Sequence, residues 1–431
     1  MSVWERLGFS DNLYATPPLP GNAEGSMLLV GRDAEVEELQ DHWASYDTHA
    51  SVEGANGVGK TSLVAVAAFR DMQARQAARK PIVIPLDEVF QLTADTSELD
   101  SKIYYSIART LLANEDFLSS LGYAVPKLSE LRSWMESPVI KSGGGNASIL
   151  GIGGGGAYGR SINTSAGFAN SGFQELVHAS LRAIFPNKSA GALIGTLDNM
   201  ELLSTSKDAR RRLEEMRDST LAIPGIRWVL CGSNGIVRSV VGSQRLTGRI
   251  ADPIRLEPLR MEDTPVVIER RIDQYRLRND AEAPVEPEGF EYLYSIMNNN
   301  LRIALKHAEQ FTRWYDKNAR GSDSKTRRQL LEVWLTEQAD EYARDTSVTP
   351  RQWQLFDELA VFGGRCSPSE YEHFGFASNQ AMRPHVKALE EANLVISAID
   401  EDDQRRRTIE ITANGWLVRY QRNGYQVEAS A

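Results

Sequence analysis

Gly54, Ala55, Asn56, Gly57, Val58, Gly59, Lys60 and Thr61 satisfy the spacing of glycine, four residues, glycine, lysine and threonine. Each type has a chemical reason. Glycines let backbone N–H groups close around a β-phosphate, the Lys60 ammonium neutralises β- and γ-oxygens, and the Thr61 hydroxyl completes the coordination of Mg²⁺. Ser62 adjoins them at the expected start of a helix. A later strand must then supply a carboxylate that holds the metal through water. Leu193, Ile194, Gly195, Thr196, Leu197 and Asp198 have that form, so Asp198 is the expected carboxylate. The following Asn199 lacks the acid that would activate water. Glu201 is the candidate to orient the nucleophile, with complementing a helix dipole as its alternative. These residues lead us to expect binding of ATP with Mg²⁺ and either slow hydrolysis or use of ATP as a switch.

Such a loop works only between a strand and a helix. His49 to Val52 reads as the strand, and SLVAVAAFRDMQARQAA, after the loop, as the helix. PIVIPLDEVF, Ala192 to Leu197 and Arg227 to Cys231 are further buried strands, separated by helical patterns near Glu98 to Leu112, Ser129 to Met135 and Gly172 to Ile184. The expected fold class is therefore α/β, a mostly parallel sheet with helices on both faces. Ahead of it, AEVEELQDHW spaces Val36, Leu39 and Trp43 helically after a possible cap at Asp33. Residues 1–26, with their PPLPG run, read as an irregular arm. Lys141 to Phe168 form a glycine-rich insert, read either as a flexible loop or as a small-residue hairpin that orders on a partner. From Arg255 the pattern turns helical, and a last compact unit begins near Thr349.

The totals narrow the function classes. At 431 residues the chain has room for several domains. Its two cysteines, Cys231 and Cys366, suggest neither a disulfide framework nor a zinc site, and six histidines form no ligand pattern. The first residues lack the apolar core of a signal peptide, and no apolar run approaches the roughly 20 residues that span a bilayer. A cytoplasmic protein outside the membrane is expected. A net charge of −10 argues against a broad nucleic-acid-coating surface, though not against one local basic contact.

The order of these parts resembles AAA+ P-loop ATPases, in the branch that includes origin-recognition initiators and transposition regulators with a C-terminal winged helix. LLVGRDAEVEEL is similar to the box that lies near the adenine in that branch, which implies adenine-side roles for Val30, Gly31 and Arg32. Trp228 to Cys231 followed by Gly232, Ser233 and Asn234 resembles the strand carrying a polar sensor, with Asn234 the first candidate and Ser233 the second. SVVGSQRLTGRI resembles the segment that lends an arginine finger to a neighbouring subunit, with Arg249 ahead of Arg245. In NNNLRIALKHAEQF, Arg302 takes the position of the lid's sensor arginine. The resemblance implies a nucleotide-binding α/β domain over residues 27–255 (insert 141–168), a helical lid and connecting helix over 256–346, and a winged-helix domain over 347–431.

In that last unit TPRQWQLFDELAVF, SPSEYEHFGF and SNQAMRPHVKALEEANLV read as three helices, and VISAIDEDDQRRRTIEIT as two strands around a charged turn. Arg383 and Lys387 on the third helix and Arg405, Arg406 and Arg407 at the turn could meet phosphates. Yet residues 351–431 hold nine Arg and Lys against twelve Asp and Glu. Two readings of the whole chain follow. One is an ATP-driven switch or motor that forms a homo-oligomer through its nucleotide site and acts on duplex DNA. The other is a signalling or antiviral-defence ATPase whose winged helix and insert bind a partner effector protein.

Overall fold

The computed structural model describes residues 2–45, 48–92, 98–125, 128–136, 172–198, 206–233, 236–320, 325–344, 348–399 and 407–426. Strands β1 (Ala50–Gly54), β2 (Val83–Gln91), β3 (Ala192–Asp198), β4 (Ile226–Gly232) and β5 (Ile254–Leu256) form one sheet in the order β2-β3-β4-β1-β5. Every pair is parallel. β1 and β3 are buried at every residue, as strands covered on both faces must be.

Helices α1 (Val3–Leu7) and α2 (Ala23–Leu28) precede the sheet. One face is covered by α3 (Asp33–Ser45) and α4 (Lys60–Ala77). The other is covered by α5 (Leu99–Ala113), α6 (Glu115–Ser120), α7 (Leu128–Glu136), α8 (Phe173–Ile184), α9 (Ser206–Met216) and α10 (Ile236–Val241). The period of two divides β4 between the two cores: Trp228 and Leu230 face one, Val229 and Cys231 the other. Gly195 lies opposite Trp228 in register, where a Cβ would sit 2.4 Å from the indole ring. Only glycine leaves room for Trp228 there.

Beyond the sheet, α11 (Thr264–Tyr275), α12 (Pro287–Ile296), α13 (Leu301–Asn318) and α14 (Arg327–Arg344) share a third core. The N-terminal arm belongs to this core, which corrects its reading as irregular. Ser2 and Glu5 close a capping box on α1, while Leu7, Phe9, Leu13 and Tyr14 are fully buried against the helices. Five-residue and six-residue helices carry too little periodicity to be read along the chain; tertiary burial makes them. Asp33 is the first residue of α3 rather than its cap, and it pairs with Arg70 at 2.8 Å.

The C-terminal unit comprises α15 (Pro350–Val361), β6 (Arg365–Cys366), a tight helical turn at Pro368–Phe374, α16 (Asn379–Glu391), β7 (Val395–Ile399), β8 (Arg407–Ile411) and α17 (Ala413–Arg422). Its three strands pair antiparallel in the order β6-β8-β7. Pro384 sits inside α16 on its exposed side. Leu417 and Tyr420 of α17 enter the core of the α11–α14 unit, and the Tyr292 and Tyr420 hydroxyls meet at 2.5 Å. The two units therefore share a packed core. Among the described residues, no helix is long and apolar enough to cross a membrane. Cys231 and Cys366 are buried, and neither forms a disulfide among the described residues.

One buried histidine gives the sheet a pH dependence. His49 Nε2 donates to the Leu221 carbonyl (2.9 Å), and Nδ1 accepts the Trp228 backbone N–H (3.2 Å). Burial pushes its pKa from 6.5 down to about 4, which outweighs the opposing bond to Leu221. Between those values the unfolded chain binds the extra proton and the folded chain does not. Stability is therefore complete above pH 6.5 and falls toward pH 4, by about 3 kcal/mol from this group. Urea midpoints measured from pH 8 to pH 4 should follow that fall, and His49→Gln should flatten it. A midpoint as pH-dependent in the variant as in the parent would assign the effect elsewhere.

Candidate functional site

The phosphate loop leaves the C-terminal end of β1, where β1 lies between β4 and β5 and the chain next crosses to the far edge at β2. Such a reversal opens a crevice at the carboxyl ends of parallel strands. Gly57 and Gly59 take left-handed φ values of +84° and +103°, which turn the loop toward α4. Lys60 is buried, and its Nζ donates to the carbonyls of Gly54 (2.7 Å) and Ala55 (3.2 Å). The Thr61 hydroxyl donates to Asp198 Oδ2 at 2.5 Å, so the loop and the end of β3 meet. Gly57, Gly59, Lys60, Thr61 and Asp198 line a cavity of about 780 Å³ with Asn56, Val58 and Ser62. The fold is that of a P-loop NTPase.

No known family profile matches the chain, and neither does any curated protein sequence. Among solved structures it is similar to the ORC2 protein of Aeropyrum pernix in ADPNP–ADP complexes, at 13% identity and a TM-score of 0.44 over 96% of this chain and 99% of that one. The ORC1 protein of the same organism, in complex with DNA, scores 0.44 at 13% identity over 95% and 97%. A Walker-type ATPase of Pyrococcus abyssi scores 0.43 at 14% over 94% and 99%.

The hydroxyl of Thr61 and the carboxylate of Asp198 are hard oxygen donors on one side of the cleft, a set that suits Mg²⁺ retaining most of its water and phosphate ligands. Among the described residues, no group of three or more His, Cys, Asp or Glu side chains offers an all-protein cage. The Thr61 hydroxyl and the Asp198 carboxylate fit a metal that arrives with a polyphosphate.

Arg302 reaches the same cleft from α13. It is exposed, and a Cβ added to Gly57 would lie 2.9 Å from its Cβ, so the start of α13 abuts the phosphate loop. Asn300 caps that helix through the Ile303 N–H (3.1 Å) and also donates to the Asn56 carbonyl (3.3 Å). Asn300 was not singled out in the sequence, although its place just before a helix was a signal.

Val30 and Arg32 line the cleft as well. Arg32 is heavily engaged: it pairs with Glu35 (3.2 Å) and donates to the carbonyls of Val58 (3.4 Å) and Glu257 (2.7 Å). It braces the loop against the end of β5. Ser62 accepts the Leu19 N–H (2.9 Å), which brings the arm to the cleft. Residues 15–21 of the arm form one of its walls.

Arg249 lies at the opposite end of the sheet. Its carbonyl accepts the His49 N–H (2.7 Å) ahead of β1, far from its own phosphate loop. Arg245 stands beside Glu214 (3.7 Å), and both arginines, after the direct bond from Arg217, help hold the Asp218 carboxyl below its usual range. Ser233, just past β4, has a buried hydroxyl with no hydrogen-bond partner among the described residues. Glu201, Asn234, Arg405, Arg406 and the insert 141–168 lie outside the described residues. Arg383 is exposed on α16, and Lys387 pairs with Glu391 at 3.5 Å. Arg407 opens β8.

A second carboxylate was missed. Glu53, the residue before Gly54, is buried and pairs with Arg238 (3.0 Å) and Arg255 (3.5 Å). It ties α10 and β5 to the strand that carries the loop. An acid at the end of a buried strand was the available clue.

Proposed function

We propose that this protein binds ATP with Mg²⁺ in the cleft and hydrolyses it as an AAA+ switch or motor that forms a homo-oligomer and acts on duplex DNA. The observation that carries the nucleotide reading is the convergence of Lys60, Thr61, Asp198 and Arg302 on one cavity from three separate parts of the chain. Thr61 and Asp198 would hold the metal, which supplies charge neutralisation at the transferring phosphoryl group. Lys60 would exchange its two carbonyls for phosphate oxygens. Arg302 would bring the α11–α14 unit onto the γ-phosphate, making that unit a nucleotide-sensing lid.

Oligomerisation rests on the position of Arg249, which could serve only a nucleotide held by another copy. The DNA reading rests on Arg383 and Lys387, exposed on α16, and takes the C-terminal unit as a winged helix. Because α17 shares the lid's core, lid movement would carry that unit with it.

The test is ATP turnover with and without duplex DNA, with Lys60→Ala as the blank. Turnover should rise several-fold with DNA at low salt, fall back as salt screens the contact, and lose its DNA response in Arg383→Glu/Lys387→Glu. Turnover indifferent to DNA would sink the DNA reading and direct the search to a protein partner.

A further inference from the structure

We infer that Gln91, at the end of β2, orients the attacking water in this cleft, in place of the acid that Asn199 does not supply. The inference rests on the ATPase reading above and deepens it. It starts from register. Val89, Phe90 and Gln91 of β2 pair with Thr196, Leu197 and Asp198 of β3. Residues in register on parallel strands project to the same face, on backbones about 4.8 Å apart. Phe90 and Leu197 both enter the core on the far face, where Phe90 meets the Trp228 ring edge-on at 6.0 Å. Val89, Thr196, Gln91 and Asp198 all line the cleft.

Gln91 therefore stands beside the carboxylate that accepts the Thr61 hydroxyl. The Leu92 N–H donates to the Asp198 carbonyl (3.2 Å), which fixes the ends of the two strands against each other. The Gln91 side chain is exposed to the cleft. Strand order decides the side from which it acts. The loop follows β1, Asp198 ends β3, and β2 lies outside β3, so Gln91 stands beyond Asp198 as seen from the loop. A γ-phosphate held by Lys60 and Thr61 would have its attacked side turned that way.

An amide suits the task because it accepts one hydrogen bond from water while donating another to a phosphate oxygen. In the step, the water oxygen bonds to the γ-phosphorus as the bond to the β,γ-bridging oxygen breaks, and that electron pair leaves with ADP. A neutral amide cannot take the proton, so it passes to a γ-phosphate oxygen.

The experiment compares the full chain with Gln91→Ala, Gln91→Glu and Lys60→Ala, by titration with a fluorescent ATP analogue and by single-turnover ATP hydrolysis from pH 5 to pH 9. Gln91→Ala should bind the analogue within about twofold of the parent yet hydrolyse ATP about 100-fold more slowly. Gln91→Glu should recover hydrolysis and acquire a rate that rises as its carboxyl ionises, a profile that a merely structural side chain would not create. Parent-like hydrolysis by Gln91→Ala, with Lys60→Ala inactive, overturns the inference and leaves the ATPase reading standing. A parent no faster than Lys60→Ala overturns both. If Gln91→Ala also loses binding, a Gln91→Glu variant with no pH-dependent hydrolysis overturns the inference.

Discussion

Lys60→Ala should weaken MgATP binding by two to three orders of magnitude and abolish turnover while leaving the fold intact. Lys60 is buried, and with no phosphate beside it the ammonium is held by the Gly54 and Ala55 carbonyls alone. Those carbonyls belong to a loop that already bends through Gly57 and Gly59, so its shape does not depend on the lysine. In the nucleotide complex the same ammonium would face β- and γ-oxygens. Truncating one partner of a buried charge pair costs about 3–4 kcal/mol, because the other charge is left buried without its counterion. At 1.4 kcal/mol per decade that is roughly 100-fold to 1,000-fold in affinity. Calorimetric titration measures it directly, and a melting temperature within a degree or two of the parent shows that the protein is folded. An unchanged affinity would remove the phosphate loop from the site.

The parts readable along the chain are those with short-range grammar. The phosphate loop, β3 ending at Asp198 and the long helices α13 and α14 each announce themselves by spacing or periodicity within a few residues. That the sheet is parallel also followed from the alternation of strands and helices, because parallel strands need crossovers; its strand order did not.

What was not readable depends on residues far apart. Gln91 became visible only through its pairing with Asp198. Counting along β2 does not locate it, because the register shifts by two residues between Pro85 and Val89. Glu53 looked like an incidental acid until Arg238 and Arg255 were brought to it from two other elements. The arm misled for the same reason. Leu7, Phe9, Leu13 and Tyr14 have no helical period of any length, and the surface they bury is supplied more than 250 residues later by the α11–α12 region.

That arm leads to the second large effect, which falls on Arg271. The guanidinium is buried on α11; burial pushes its pKa down to about 10, so it remains charged at neutral pH. Its Nη1 donates to the carbonyls of Leu13 (2.9 Å) and Ala15 (3.0 Å), and its Nε has no hydrogen-bond partner among the described residues. On the same helix Arg270 donates to the carbonyls of Met27 (2.9 Å) and Leu29 (2.8 Å), and Tyr275 donates to Glu24 (2.5 Å). The helix thus holds the arm on both sides of residues 15–21, the stretch that walls the cleft beside Ser62.

Arg271→Ala would leave the buried Leu13 carbonyl and the half-buried Ala15 carbonyl without this donor and open a void beside the cleft, at a cost of about 3 kcal/mol in stability. With the wall loosened, ATP should bind roughly tenfold more weakly, a loss of about 1.4 kcal/mol. Inorganic triphosphate, which needs only the loop, should bind as before. The comparison of the two ligands separates the effect from general unfolding, since a misfolded chain would lose both. If ATP and triphosphate each keep their parent affinities in a destabilised variant, the arm supports the helices and has no part in holding the nucleoside.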